Sequence, residues 1–521
     1  MRLFCKVFIF KLVLVLTLGL AGCGSKETSN LNGDGRIPKS LTIFAPIGSY
    51  AIKAGANDNN DMLPYQLMEE LTGCHVEWIH PASGAQDEKF NLLITSGSIP
   101  DMMVYNWKNV PGGAKLYVED EIIVPLHGLI EKDMPYLSTF LKGRPEIAKQ
   151  IMDDDGGIYH MPFVRADAEL KVYAGPQIRQ DWLDKLGLEV PRTTDELYDV
   201  LKAFKTLGPD IKPMSGVLFE NHSHGIGNLV WAFGTHYDFY VADGEVKYGI
   251  MEDRFEEALA YVAKLHKDGL IDVDYLLNDR DKMDGKVMNN QVGFVYSLQP
   301  GKFYTSMNDG ERKVIGIPHL TGPYGDQNCF FPDYANDTTK VSIAITTANK
   351  NPEGSAKWLD NFFGGKGLEY MNFGKEGLTF EWVDGYPKLT DYILNNPDGK
   401  SIQDMAGINL GAYQSQFPTL QDWRYYEQIL SDWGKESIKI WQKDADASGI
   451  LPTITFTEEE SQKVTQIMSQ IQTYVSETMN KIVIGQASIS ELPQRRERIK
   501  TMGIDEVLKI YNEALKRYIN R

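Results

Sequence analysis

Leu41-Thr42-Ile43-Phe44-Ala45, then Val76-Glu77-Trp78-Ile79, then Met102-Met103-Val104-Tyr105 are the runs whose reading decides the fold. Each is short and rich in apolar, β-branched or aromatic residues, as a buried strand is. Between the first two, residues 64–71 read as a helix stopped by Gly73. Between the second and third, residues 87–95 read as a helix stopped by Gly97. Glycine after the last helical residue takes the left-handed backbone that ends a helix without a steric penalty. Strands alternating with helices of ~10 residues imply a parallel sheet with helices on both faces, an α/β architecture. Ligands on such sheets sit beyond the carboxyl ends of the strands, which nominates Tyr105, Asn106 and Trp107.

Working outward, the middle of the chain is more helical. Thr193 and Glu196 have capping-box spacing, and Leu197, Val200, Leu201 and Phe204 mark one helical face. Residues 256–265 predict a further helix. Residues 292–296, 314–318 and 341–346 predict strands, and a helix follows over about 352–363. In the last third, Thr457 with Glu460 and Ser488 with Glu491 open two more helices. Val464, Ile467, Met468, Ile471, Met479 and Ile482 form a stripe that reads as core. Residues 505–518 close the chain as a helix.

Ahead of this body, Arg2, Lys6 and Lys11 precede an apolar region of nine residues, 12–20, which runs into Leu20-Ala21-Gly22-Cys23. That is the layout of an export signal. The apolar run is too short to cross ~30 Å of hydrocarbon, which takes about 20 apolar residues. The motif resembles the bacterial lipobox, so residues 1–22 read as a signal and Cys23 as a lipidated N-terminus on the outer face of the membrane. Residues 23–39 read as a flexible tether. With 521 residues, 42% hydrophobic and 24% charged, the remainder is long enough for two large lobes. A net charge of −18 argues against nucleic acid as a partner. Cys5 leaves with the signal. Cys74 and Cys329 remain, either bridged or as two buried thiols, and no Cys/His spacing suggests zinc.

Several stretches resemble the extracellular solute-binding proteins of ABC importers, the maltose-binding-protein-like family. They are Ser96-Gly97-Ser98-Ile99-Pro100-Asp101, Gly157-Ile158-Tyr159-His160-Met161-Pro162 and Lys350-Asn351-Pro352-Glu353-Gly354-Ser355-Ala356. More specific is Arg179-Gln180-Asp181-Trp182-Leu183-Asp184-Lys185-Leu186-Gly187 followed by Pro191, Thr193 and Glu196. This is similar to the large lipoprotein subgroup of Gram-positive bacteria, as are Phe373-Gly374-Lys375-Glu376-Gly377 and Met502-Gly503-Ile504-Asp505. The resemblance implies a two-lobed periplasmic-binding-protein-like fold of type II with crossing hinge strands. It implies crossings near Tyr173, Val314 and Leu389, lobe one over 40–172 and 318–388, and lobe two over 173–317 and 389–521. The implied protein is a monomeric, non-enzymatic receptor that hands an oligosaccharide to importer membrane subunits, without a cofactor.

Sugars present apolar faces and hydroxyl rims, so their sites need aromatic plates and side chains that pair with hydroxyls in both directions. Residues of that chemistry at the positions the resemblance implies are Tyr105, Asn106, Trp107, Tyr159, Arg165 and Tyr334 in lobe one. In lobe two they are Arg179, Asp181, Trp182, Trp231, Tyr237, Tyr296 and Trp423, with Glu376 and Trp382 near the third crossing. Trp107 and Trp231 are the expected stacking plates, while Arg179 and Asp181 read equally as a hinge ion pair. No calcium loop is expected. Residues 206–213 lack its spacing, the Asp279/Asp281/Asp284 group has the wrong spacing, and residues 153–156 read as a solvated turn. A surface-anchored glycoside hydrolase and a receptor for peptides are the alternatives. Both neutral and acidic sugars stay open, since Arg165 and Arg179 could serve an acidic one, with the neutral sugar the favoured expectation.

Overall fold

The computed structural model describes residues 35–172, 174–219, 223–298, 312–325, 338–443, 445 and 447–521. The signal, Cys23, most of the tether, Tyr173, Cys329 and Tyr334 lie outside the described residues. In chain order the strands begin with β1 (Ser40–Phe44), β2 (His75–Ile79), β3 (Met102–Tyr105), β4 (Met161–Val164), β5 (Ala174–Arg179) and β6 (Lys212–Met214). They continue with β7 (Phe239–Ala242), β8 (Glu245–Tyr248), β9 (Val292–Leu298), β10 (Val314–Gly316), β11 (Thr338–Ile345), β12 (Phe380–Val383) and β13 (Tyr386–Leu389).

The first sheet has the order β2-β1-β3-β11-β4. β1 runs parallel to both neighbours, with Leu41 opposite Val76 and Ile43 opposite Met102. β11 is antiparallel to β3 and β4. The crossovers are the helices Leu63–Thr72 and Gln86–Ser96, ended by Gly73 and Gly97, each at φ 68°. Both faces of this sheet are covered, which is why its strands read as continuous apolar runs. Ile43, Phe44, Met102 and Met103 are wholly buried, and each such side chain contributes about 1.5–3 kcal/mol. Asp101 locks β3 against β1. Its Oδ2 accepts from the Thr42 N–H at 2.8 Å and the Thr42 hydroxyl at 2.9 Å, and its own N–H donates to Thr42 Oγ1 at 2.9 Å.

The second sheet has the order β10-β5-β9-β6, with β5 antiparallel to β9 and β10, and β6 parallel to β9. The helix Thr194–Lys205 packs here, opened by the Thr193–Glu196 capping box. Its Leu197, Leu201 and Phe204 are wholly buried. The helix Glu458–Val483 buries Val464, Met468, Ile471, Met479 and Ile482 in the same core, and Ile467 packs at its margin. Two hairpins, β7–β8 and β12–β13, complete the strands.

Side-chain packing moves two of the expected lobe boundaries. Ile317 and Leu320 belong to the core of the second sheet, and the Thr321 N–H donates to Arg192 O. Residues 318–325 therefore stay with lobe two, while Thr338 opens β11 on lobe one. Leu389, Ile393, Met405, Leu410 and Tyr425 pack around Phe163 of β4, while Phe417 enters the main core of lobe one. The segment 389–429 therefore sits on lobe one, because its apolar side chains face Phe163 and Phe373. The chain returns to lobe two near Leu430, through the helix Asp432–Lys443. There Trp441 Nε1 donates to Ile317 O at 3.1 Å and Ser437 Oγ accepts from the Gly316 N–H at 3.1 Å.

Residues 153–156 form a turn in which Asp154, Asp155 and Gly156 are exposed, as expected, and it also touches lobe two. Arg517 Nε and Arg521 Nη2, from the end of the chain on lobe two, each donate to Asp154 of lobe one at 2.6 Å. Arg521 Nη1 also reaches Met152 O at 2.7 Å, so the turn is a lobe–lobe contact. Cys74 is a buried free thiol pushed up to about 12 by burial.

Candidate functional site

Between the lobes lies a cleft of about 290 Å³. Ser49 and Tyr50, which follow β1, and Arg165, which follows β4, give one wall. Arg280 and Leu298 come from the opposite lobe. The segment 403–430 completes the site with Gln403, Tyr413, Gln414, Ser415, Gln416, Gln421, Tyr426, Ile429 and Leu430, and Leu170 adds to its floor.

Hydrogen bonds of the loop after the helix Ile402–Asn409 hold this wall. Gln414 Oε1 accepts from the Tyr50 N–H at 2.7 Å, and its Nε2 donates to Gly407 O at 3.1 Å. Gln416 Nε2 donates to Gln414 O at 3.1 Å, and Gln421 Nε2 to the Tyr425 hydroxyl at 2.7 Å. Gly48 leaves room for this amide, since a Cβ there would lie 2.3 Å from the Gln414 amide carbon and displace it. Tyr50 and Tyr413 rings stand 5.7 Å apart at 52°, and burial raises the Tyr413 hydroxyl far above its ordinary pKa. Near Arg280, burial and that guanidinium hold His224 neutral, its pKa pushed down to about 3. Such a lining offers phenol rings, amides that both donate and accept, and guanidinium forks.

Of the sequence-predicted site residues, Arg165 lines this cleft. Trp423 stands behind it, half-buried, its ring 5.9 Å from that of Tyr426 and its backbone N–H donating to Asp167 Oδ2 at 2.9 Å. The expected stacking plates are core. Trp107 is wholly buried, edge-on to Phe90 at 5.4 Å, with Nε1 donating to Met103 O at 2.8 Å. Trp231 is buried parallel to the His236 ring and edge-on to Tyr296, and Tyr237 and Tyr296 are buried in the same cluster. Neither tryptophan presents a face to a ligand. Burying so large an apolar surface stabilises a core, and both rings are spent there.

Arg179 and Asp181 form the ion pair, not a sugar clamp. The buried Arg179 guanidinium grips Asp181 with Nε at 2.8 Å from Oδ1, donates to Asn290 Oδ1, and lies 4.5 Å over the buried Trp182 ring. Tyr105 stacks on Phe90 at 3.8 Å and donates to Asp87 Oδ1 at 2.7 Å. Tyr159 donates to Asp155 Oδ2 at 2.7 Å. Asn106, half-buried after β3, keeps Oδ1 without a hydrogen bond among the described residues. Glu376 is exposed and Trp382 is 42% exposed on β12, outside the cleft lining. Sequence reasoning missed Tyr50, Arg280, Tyr413 and the four glutamines. The available signal was the amide-rich run Tyr413-Gln414-Ser415-Gln416, polar without being charged. Among the described residues no group of three or more His, Cys, Asp or Glu is gathered to hold a metal ion.

Two lobes around a polar cleft define a solute-binding protein. Residues 44–367 match the family described as bacterial extracellular solute-binding protein, and the chain belongs to that family. It is a binding protein of the two-lobed type II fold and not an enzyme. The fructooligosaccharide ABC transporter substrate-binding protein FusA of Streptococcus pneumoniae is 26% identical over 96% of this chain and 96% of its own. The polygalacturonan/rhamnogalacturonan-binding protein YtcQ of Bacillus subtilis is 24% identical over 97% of this chain and 98% of its own. The solved structure of FusA from S. pneumoniae in complex with kestose is similar with a TM-score of 0.75 at 23% identity, covering 92% of this chain and 100% of that one. The alginate-binding protein AlgQ2 without calcium ion gives a TM-score of 0.73 at 26% identity, over 94% of this chain and 100% of that one.

Proposed function

We propose that this chain captures an oligosaccharide between its lobes and delivers it to the membrane subunits of an ABC importer. The observation that carries the reading is the cleft lining, in which tyrosines, glutamines, serines and Arg165 of one lobe face Arg280 and Leu298 of the other across one cavity. Amides and hydroxyls match the two-way hydrogen bonding of sugar hydroxyls, and phenol rings match their apolar faces. Relatives similar along nearly the whole chain carry carbohydrate-binding names, which supports the same class of solute here. The receptor acts as a monomer, held outside the cell by acyl chains on Cys23.

Calorimetry of the purified protein against an oligosaccharide panel tests the reading, with chromatography of the same mixtures for products. The expected result is reversible binding without turnover, together with a smaller radius of gyration in solution scattering when a ligand is bound. Failure to bind any sugar, or hydrolysis of one, refutes it. Mass spectrometry of the native protein is expected to find diacylglycerol-modified Cys23 at the N-terminus, and an unmodified N-terminus further along refutes the anchor.

A further inference from the structure

We infer that Gln414 is a positioning residue of the cleft, which seats Tyr50 and acts on solute affinity through that ring. This rests on the receptor reading above and deepens it. The helix Ser49–Ala54 starts after Gly48, whose backbone is extended at φ −66° and ψ 140° and which has no side chain to cap the helix. The first N–H groups of a helix need acceptors from outside it. For the Tyr50 N–H that acceptor comes from 364 positions along the chain, Gln414 Oε1 at 2.7 Å. The same amide is held at its other end, Nε2 donating to Gly407 O at 3.1 Å, and the Gln414 backbone O accepts from Gln416 Nε2 at 3.1 Å. Both polar atoms of the Gln414 side chain are therefore engaged within lobe one.

Two close approaches make the seat specific to this residue pair. At Gly407, in the helix Ile402–Asn409, a Cβ would come within 2.5 Å of Tyr50 Cβ and 2.9 Å of its carbonyl carbon. At Gly48 a Cβ would fall on the Gln414 amide. Held in this way, the Tyr50 ring stands against Tyr413 as an angled aromatic corner on the cleft wall. A ring that is already in place when a sugar arrives does not have to be ordered at the moment of binding, and that saving appears as affinity. Gln414 supplies it without touching the solute.

Calorimetry with kestose, xylotriose and trigalacturonate on Gln414→Met, Tyr50→Ala and the double variant tests this. Each single change is expected to weaken binding by roughly tenfold. The double variant should bind about as well as Tyr50→Ala alone, where independent contacts would multiply to about a hundredfold. Gly48→Ala keeps the Gln414 amide in the protein but pushes it off Tyr50, and should also weaken binding. Hydrogen exchange of the Tyr50 amide needs no sugar, and should quicken by roughly tenfold in Gln414→Met and in Gly48→Ala. A multiplicative double variant, or wild-type affinity in Gly48→Ala, makes Gln414 a direct contact and overturns the inference while the receptor reading stands. Wild-type exchange in both variants overturns the seat whatever the sugars do. No sugar binding by the wild-type protein overturns the receptor reading and the affinity role together, and the exchange rates then decide the seat by themselves.

Discussion

Trp107→Phe separates a structural tryptophan from a sugar-stacking one. The indole is wholly buried among Phe90, Met103, Tyr117 and Ala344, and its N–H donates to Met103 O at 2.8 Å. Truncation to alanine would remove the ring, costing about 3–5 kcal/mol, and leave the carbonyl without that donor, costing about 1 kcal/mol more. That total approaches the whole stability of an ordinary domain, about 5–15 kcal/mol. The phenylalanine variant is the better probe, because it keeps most of the apolar contact and loses the hydrogen bond and part of the volume. It is expected to cost about 1–2 kcal/mol, read as a lower urea midpoint at constant slope. Sugar affinity in the folded protein should be unchanged. Tyr50→Ala, on the cleft wall, should do the reverse and weaken binding by roughly tenfold with little change in stability. A Trp107→Phe protein of wild-type stability with weakened sugar binding would refute the core assignment.

Two further expectations concern the fold itself. Burial raises Asp153 from 3.8 to about 6, opposed by Arg521 and reinforced by Asp155 and Asp154. The folded state therefore holds this proton where the unfolded chain has released it, so Asp153 costs stability progressively as pH rises from about 4 to 6, with the full cost above. Asp153→Asn should gain at most about 3 kcal/mol relative to wild type at pH 7.5 compared with pH 4; a gain at pH 4 that vanishes at pH 7.5 contradicts the sign. Asp101→Ala removes both carboxylate bonds to Thr42 and should cost about 1–3 kcal/mol in urea unfolding. An unchanged midpoint would show that β1 and β3 are held in register without it.

What could be read in advance follows from how local each signal is. Ile43, Val76 and Met102 lie in apolar runs punctuated by Gly73 and Gly97, and the sheet they form needs no knowledge of distant partners. The Thr193, Thr457 and Ser488 capping boxes close within three residues, and all three form as expected. The segment 389–429 carries a core pattern too, but nothing in Ile393 or Met405 says which lobe's core it serves. Phe163, more than two hundred residues earlier, decides that. The site suffers the same way. Trp107 and Trp231 have the chemistry of a sugar plate and the size of a core residue, and burial chose the latter. Gln414 looks like an ordinary loop residue until its Oε1 meets the Tyr50 N–H across 364 positions of chain.

The cleft also stands where binding can be felt by the hinge. Leu170 and Leu430 line its floor, and these residues flank the first and third crossings between lobes. Beyond the third crossing, Trp441 packs against Gly175 of β5, where a Cβ would come within 2.4 Å of its ring. The chain that leaves the cleft floor therefore runs directly into a close-packed joint with the second sheet. Rotation of the lobes has to be absorbed at the crossings, the spans around Leu170 and Leu430 among them, because the packed helix and strand on either side move as solid pieces. A solute touching both Arg165 and Arg280 bridges the two pieces at the point where their separation changes, which is how a small ligand can set the position of two large lobes.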